Sequence, residues 1–335
     1  DQVGVGNGTT IGNDLWRVVD MTGDSRPDLV MTSERVEDVN WMVYEQFSHE
    51  GSPVWLVHIN NGAGFDEEPL FWPTPEGGLV DPTTGFGFTA TFGGSDHLGS
   101  QTWAMEDMQG DGRPDLVVFA AVENNGITAQ FGHGVSPHWK VHLNTGVDFA
   151  APALDWPTPM GGFQNDLDLG YTFSEQIFNS SSEEIWSMLD LGGDGAPELV
   201  VFGSGDEAAI GPGQFMANGM PVWYVYDNML AGFSSEAVLC ATPSGGMVDS
   251  DGDMLGFLGS QNESALVLPD NEAWSILDLN GDMHLDLVVT SLGGVQFGSE
   301  EDPHWRVFLG SDHVQVEDLA MSEFDHRIHP NPCDA

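Results

Sequence analysis

Residues 16–30 read Trp16-Arg17-Val18-Val19-Asp20-Met21-Thr22-Gly23-Asp24-Ser25-Arg26-Pro27-Asp28-Leu29-Val30. A half-apolar stretch runs into a tight acidic turn and out into Leu-Val, which predicts a β-hairpin built around a polar loop. The same arrangement, Trp-x-x-x-Asp-x-x-Gly-Asp-x-x-x-Asp/Glu-Leu-Val, returns from Trp103, Trp186 and Trp274. Four copies decide the architecture before any local propensity does, because a fixed period makes each copy one structural unit.

Outward from the hairpin, Pro53-Val54-Trp55-Leu56-Val57 recurs as Pro137-His138-Trp139-Lys140-Val141, Pro221-Val222-Trp223-Tyr224-Val225 and Pro303-His304-Trp305-Arg306-Val307, a further strand at a period of about 84 residues. Seven residues before each proline stands Gln-Phe: Gln46-Phe47, Gln130-Phe131, Gln214-Phe215 and Gln296-Phe297. A turn at Trp72-Pro73-Thr74-Pro75 returns at Trp156-Pro157-Thr158-Pro159 and Cys240-Ala241-Thr242-Pro243, and the fourth copy lacks it. Gly85-Phe86, Gly170-Tyr171 and Gly256-Phe257 then open another strand-like stretch, and Gly4-Val5 holds the equivalent place before Trp16.

These features predict an all-β chain: a single β-propeller domain over 1–335, with four large blades at roughly 1–84, 85–169, 170–255 and 256–335. The N-terminal strand would complete the blade that the last repeat leaves short, and a closed ring would remove exposed sheet edges. An open solenoid is the structural alternative, although neither end carries a distinct polar capping repeat.

With 53 acidic and 7 basic side chains, the formal charge is −46. Lys140 is the sole lysine and the arginines are scattered singly, so no basic stripe exists to track a nucleic-acid backbone or an anionic membrane. Neither nucleic acid nor membrane insertion is expected. Hydrophobic residues make up 40% of the chain, well above a disordered acidic tail, and no apolar run approaches the ~18 residues that span a bilayer. The start at Asp1, without a basic-then-apolar leader, suits a mature secreted product. Cys240 and Cys333 would form one disulfide in an oxidising compartment and two free thiols otherwise.

In the first hairpin loop, Asp20, Thr22, Asp24 and Asp28 fall at positions 1, 3, 5 and 9, with the carbonyl of Arg26 at position 7. Alternate oxygens in a tight turn converge on one point, and hard cations such as calcium take six to eight oxygen ligands. The second loop offers Asp107, Gln109, Asp111, Arg113 (carbonyl) and Asp115, and the third offers Asp190, Asp194, Ala196 (carbonyl) and Glu198. The fourth offers Asp278, Asn280, Asp282, His284 (carbonyl) and Asp286. Position 4 is glycine in every copy (Gly23, Gly110, Gly193, Gly281), as a turn needing positive φ requires. Up to four Ca2+ ions are therefore expected, one per loop.

The loops resemble the FG-GAP or VCBS repeats of integrin-type propellers and many bacterial secreted proteins, whose signature is Asp-x-Asp/Asn-Gly-Asp-Gly-x-x-Asp-Leu-Val. The likeness covers the four loops and the strands that follow. It implies that each loop binds calcium and braces the first two strands of its blade. Position 3 departs from the signature (Thr22, Gln109, Gly192, Asn280), and Gly192 supplies no side-chain ligand, so the third site is expected to use water or bind weakly.

The hairpin and Pro-x-Trp tryptophans alternate with polar residues and are expected in the core. The Gln-Phe pairs admit two readings, backbone caps within each blade or repeated pockets for a hydroxylated ligand. Trp72 and Trp156, on proline-braced turns, are candidates for stacking on sugar faces or for hydrophobic plugs. The function expected from this reading is a secreted calcium-binding propeller that holds a glycan or extracellular protein through repeated loops, with multivalent display raising avidity. The alternative is a polysaccharide-active lyase or hydrolase with one asymmetric site gathered from unlike residues such as Arg17, Glu106, His97 and His284.

Overall fold

The computed structural model describes residues 16–37, 42–75, 88, 103–122, 128–162, 170–172, 184–205, 212–248, 254–257, 273–292, 295–299, 302–310 and 329–330. Among them every regular element is a β-strand. The chain forms two compact units, residues 1–158 with 169–174 and residues 159–168 with 175–335. Each holds two blade-like sheets, one per repeat, so the architecture is the four-bladed, all-β one that the repeats predict.

In the first unit, blade 1 orders Trp16–Val19, Asp28–Met31, Ser52–His58 and Leu70–Pro73, each antiparallel to the next. Blade 2 repeats this with Trp103–Glu106, Asp115–Val118, His138–His142 and Leu154–Pro157. The hairpin register is the same in both: Trp16 faces Met31 and Val19 faces Asp28, as Trp103 faces Val118 and Glu106 faces Asp115. The acidic loop is thus the hairpin's own turn, and its ninth residue begins the second strand. Buried Trp55, Trp72, Trp103, Leu116 and Phe149 belong to one apolar cluster.

In the second unit, blade 3 orders Glu184–Leu189, Glu198–Gly205, Met220–Tyr226 and Val238–Ala241, with Pro212–Ala217 inserted as an extra strand. Cys240 faces Trp223 here as Trp72 faces Trp55 and Trp156 faces Trp139. Cys240 is disulfide-bonded, and the sequence has one other cysteine, Cys333.

Blade 4 departs from the pattern where the repeat itself does. Ala273–Leu277 and Asp286–Leu292 form the hairpin, but the Pro-x-Trp-x-Val strand is split into Asp302–His304 and Arg306–Leu309. With no Trp-Pro-Thr-Pro strand to pair it, Trp305 falls between them and is exposed, which corrects the expectation that all four Pro-x-Trp tryptophans are core. His329–Pro330 lies parallel beside Arg306–Leu309 and fills the fourth position. Gly4-Val5, expected there, lies outside the described residues.

Candidate metal-binding loops

The position-1 aspartate organises each loop by accepting hydrogen bonds from the amides that follow it. Asp20 accepts from Gly23 (2.8 Å), Asp24 (3.2 Å) and Ser25 (2.6 Å). Asp107 accepts from Asp111 (3.1 Å) and Gly112 (2.7 Å), Asp190 from Asp194 (3.1 Å) and Gly195 (2.9 Å), and Asp278 from Gly281 (2.6 Å), Asp282 (3.2 Å) and Met283 (3.0 Å). These amides converge on one carboxylate because positions 4 and 6 both have positive φ: 73° and 64° at Gly23 and Ser25, 68° and 82° at Gly110 and Gly112. Glycine takes such angles without steric cost.

Position 5 caps the next turn. Asp24 accepts from the Arg26 amide at 2.9 Å, and Asp111, Asp194 and Asp282 repeat the bond with Arg113, Ala196 and His284 at 3.0, 2.9 and 3.0 Å. In the first two loops the arginine returns on the same carboxylate through its guanidinium, Arg26 on Asp24 and Arg113 on Asp111. That contact, foremost, holds the Asp24 carboxyl below its ordinary value. Asp282 is also lowered, chiefly by the His284 amide.

Position 9, buried in loops 1, 2 and 4 and half-buried in loop 3, ties the loop to the body of its blade. Asp28 accepts from Met21 (3.1 Å) and from Asn60 (2.8 Å), Asp115 from Met108 (3.1 Å) and Asn144 (2.7 Å), and Asp286 from Leu279 (2.9 Å) and Gly310 (2.7 Å). Glu198 accepts from Leu191 at 2.8 Å and Gly192 at 3.4 Å. Burial, the largest influence, raises the pKa of Asp28 and drives Asp115 and Glu198 up to about 7 against the opposing pull of these amides.

A second, unforeseen turn supports the first. Asn60, Asn144 and Asn228 each open a turn closed by a bridge to Phe65, Phe149 or Phe233. Their side-chain amides donate to the carbonyls of Pro27, Pro114 and Pro197. Asn144 also donates to Met21 O at 3.0 Å, joining blade 2 to the first acidic loop. The sequence carries this signal as Asn followed five residues later by Phe at the common period.

The donor chemistry of every loop fits a hard cation: three carboxylates, amide or hydroxyl oxygens at three of the four third positions, and a carbonyl at position 7. Among the described residues no three His, Cys, Asp or Glu side chains form a ready-made cage, since the carboxylates are turned onto amides and arginines. If calcium binds, the residues to hold it are Asp20, Thr22, Asp24 and Asp28 with the Arg26 carbonyl, and their counterparts in the other loops.

The other candidates are placed differently. Trp72 and Trp156 are buried, as the plug reading has it and the sugar-stacking reading does not: each is paired across strands with another core tryptophan. The amides of Gln46, Gln130 and Gln214 are committed inside the blades. Their Nε2 atoms donate to Thr74, Thr158 and Thr242 (2.7, 2.6 and 2.5 Å), and their Oε1 atoms accept from the backbone of Phe88, Tyr171 and Phe257 (3.1, 2.9 and 3.1 Å). The cap reading of glutamine therefore replaces the pocket reading in these copies. Phe47 and Phe131 are half-buried. Phe131 stacks on His138, and half-buried Phe215 stacks on Tyr224 at 4.2 Å. Gln296 and Phe297 lie on the strand Val295–Ser299, opposite Ser291 and His304. Of the residues suggested for an asymmetric site, His97 lies outside the described residues.

No family model matches the chain, and no curated protein matches it. Among solved structures it is similar to an Agrocybe aegerita lectin described as recognising non-reducing terminal N-acetylglucosamine, at 16% identity over 82% of this chain and 74% of that one, with a TM-score of 0.26. It is also similar to the pore of a mutant Photorhabdus luminescens Tc holotoxin, at 15% identity over 88% of this chain and 14% of that one, with a TM-score of 0.25. Neither likeness carries an assignment.

Proposed function

We propose that the chain is a secreted, calcium-braced β-propeller module that binds a glycan or an extracellular protein through its surface. The observation that supports it is the recurrence, in four hairpin turns of one register, of carboxylates at positions 1, 5 and 9 on a scaffold that fixes the loop backbone. Three like charges so close in sequence repel one another, and a divalent ion removes that repulsion while joining both strands of the hairpin. The strongly acidic composition suits a calcium-rich exterior, and no helix among the described residues is long and apolar enough to cross a membrane.

With Trp72, Trp156, Gln46, Gln130 and Gln214 turned inward, ligand contact falls to exposed loops and outer strands, where Phe71 stacks face to face on His49 at 3.9 Å. Calcium counted per chain after dialysis, and thermal melts with and without chelator, test the first half of the proposal. Up to four bound ions and a large fall in melting temperature on chelation are expected, and an ion-free protein with an unchanged melt overturns it. A glycan array probed in calcium tests the second half.

A further inference from the structure

Within each unit the acidic loops of the two blades touch. A Cβ on Gly23 of loop 1 would fall 2.7 Å from Cγ of Arg113 in loop 2. One on Gly193 of loop 3 would fall 2.3 Å from the Met283 carbonyl of loop 4.

In the first pair a buried side chain also joins the loops. Asn144, 2% exposed, donates from Nδ2 to the Met21 carbonyl of loop 1 at 3.0 Å and to the Pro114 carbonyl of loop 2 at 3.1 Å. Its backbone N–H donates to Asp115 at 2.7 Å. Its Oδ1 accepts from the Gly146 amide at 2.8 Å, so both ends of the side-chain amide are used and its orientation is fixed. On the loop 1 side, the Met21 N–H donates to Asp28 at 3.1 Å. An unbroken chain of hydrogen bonds thus runs from the position-9 carboxylate of loop 1, through Met21 and Asn144, to the position-9 carboxylate of loop 2. Asp28, Met21, Asn144 and Asp115 are all buried.

The repeat supplies a contrast. Blade 4 carries Gly310 seven residues after Pro303, where blade 2 carries Asn144 seven residues after Pro137. The Gly310 N–H makes the same bond, to Asp286 at 2.7 Å, but glycine has no side-chain amide to reach loop 3. A Cβ at Gly310 would lie 2.8 Å from Cβ of His284.

We infer that Asn144 is a positioning residue that couples calcium binding at loops 1 and 2, each loop when filled raising the affinity of the other; the inference rests on the calcium reading of the loops. A fixed Asp28 carboxylate holds Met21, and Met21 holds the Asn144 amide. Asn144 in turn holds Asp115 by its carboxylate and by the carbonyl just before it. The second loop then has less freedom to lose on binding, which is positive cooperativity carried by ordering. The effect is reciprocal. Loops 3 and 4 share the glycine contact but lack the side-chain bridge, so they are coupled less.

Calorimetric calcium titration of the full chain tests this. With loops 3 and 4 weakened by Asp194→Asn and Asp282→Asn, loops 1 and 2 should titrate cooperatively. Adding Asp24→Asn should then weaken loop 2 by about five-fold or more. Asn144→Gly gives blade 2 the residue of blade 4 and keeps the N–H to Asp115. It should leave both sites filled but independent, and Asp24→Asn should then change loop 2 little. The converse chain, with loops 1 and 2 weakened by Asp24→Asn and Asp111→Asn, should bind less cooperatively, a comparison that stands even if Asn144→Gly does not fold. Independent sites with Asn144 in place, cooperativity that survives Asn144→Gly, or equal cooperativity in the two pairs overturns the coupling and leaves the calcium reading intact. A chain that takes up no calcium overturns both.

Discussion

Gln130 accepts a hydrogen bond from the backbone N–H of Tyr171, 41 residues away, at 2.9 Å. The Tyr171 carbonyl in turn accepts from Trp139 Nε1 at 2.9 Å. One residue at the start of a new segment is therefore held at both ends of its peptide, by a glutamine and a tryptophan from the blade it leaves. Gln46 and Trp55 hold Phe88 in this way, and Gln214 and Trp223 hold Phe257.

Gln130→Ala should therefore destabilise the protein strongly. It leaves the Tyr171 N–H buried without its acceptor and the buried Thr158 hydroxyl without its donor. At ~1–3 kcal/mol for each of the two stranded groups, the loss should be roughly 2–6 kcal/mol by denaturant titration. Gln130→Glu retains the acceptor and should cost less. An alanine variant as stable as the wild type would refute the clamp.

The position-4 glycines separate backbone strain from collision. Gly193 and Gly281 have nearly equal φ, 68° and 77°. A Cβ at Gly193 would collide with the Met283 carbonyl and crowd His284, whereas nothing lies within 4 Å of one at Gly281. Gly281→Ala should cost ~1–2 kcal/mol from the left-handed conformation alone. Gly193→Ala should cost clearly more, because backbone must also move. Equal losses in chemical denaturation would show that loops 3 and 4 do not pack as described.

The fold was legible because its determinants recur. Trp16, Asp20, Gly23 and Asp28 and their copies define the hairpin, its turn and its register without reference to anything distant. What was not legible is how the polar groups are spent. Trp72 and Gln46 read as equally able to face a ligand or the interior, since exposure depends on the strand that covers them, and in each case a cross-strand partner lies 17 to 28 residues away. Trp305 shows the converse. Its motif is intact, yet the strand that takes the fourth position pairs only at Phe308 and Leu309, and Trp305 stays in solvent. The Asn60, Asn144 and Asn228 turn was readable at the common period, but its short polar motif lacks the run of carboxylates that marks the first turn.

Position 6 of the acidic loop also lies at positive φ, and two copies meet it without glycine: Ser25 at 64° and Met283 at 73°. Glycine holds the position in the other two, Gly112 at 82° and Gly195 at 91°. Met283 is largely exposed, so its side chain gives little packing in return. Met283→Gly should therefore stabilise the protein by about 0.5–1 kcal/mol, the relief of left-handed strain less the added freedom of the unfolded chain. A fall in melting temperature would mean that the Met283 side chain has a contact role.

Asp115 and Glu198 titrate at about 7 in the folded protein, raised by burial from ordinary values of 3.8 and 4.5. Between those limits the native state retains protons that the unfolded chain releases, so the stability of chelator-treated protein should fall as pH rises from about 4 to about 7 and level off above. Each group contributes at most about 1.4 kcal/mol per pH unit across this window. Asp28, also raised, acts in the same sense, while His142, lowered by burial, opposes it just below 6.5. The exposed Asp24, Asp155 and Asp282 are lowered, and their contribution is lost only in more acidic solution. Thermal melts in chelator should thus show a higher melting temperature at pH 5 than at pH 7.5, and calcium should narrow the gap by favouring the ionised carboxylates. A chelated protein more stable at pH 7.5 than at pH 5 would show that these two carboxyls are not buried against the amides of Met108, Asn144 and Leu191.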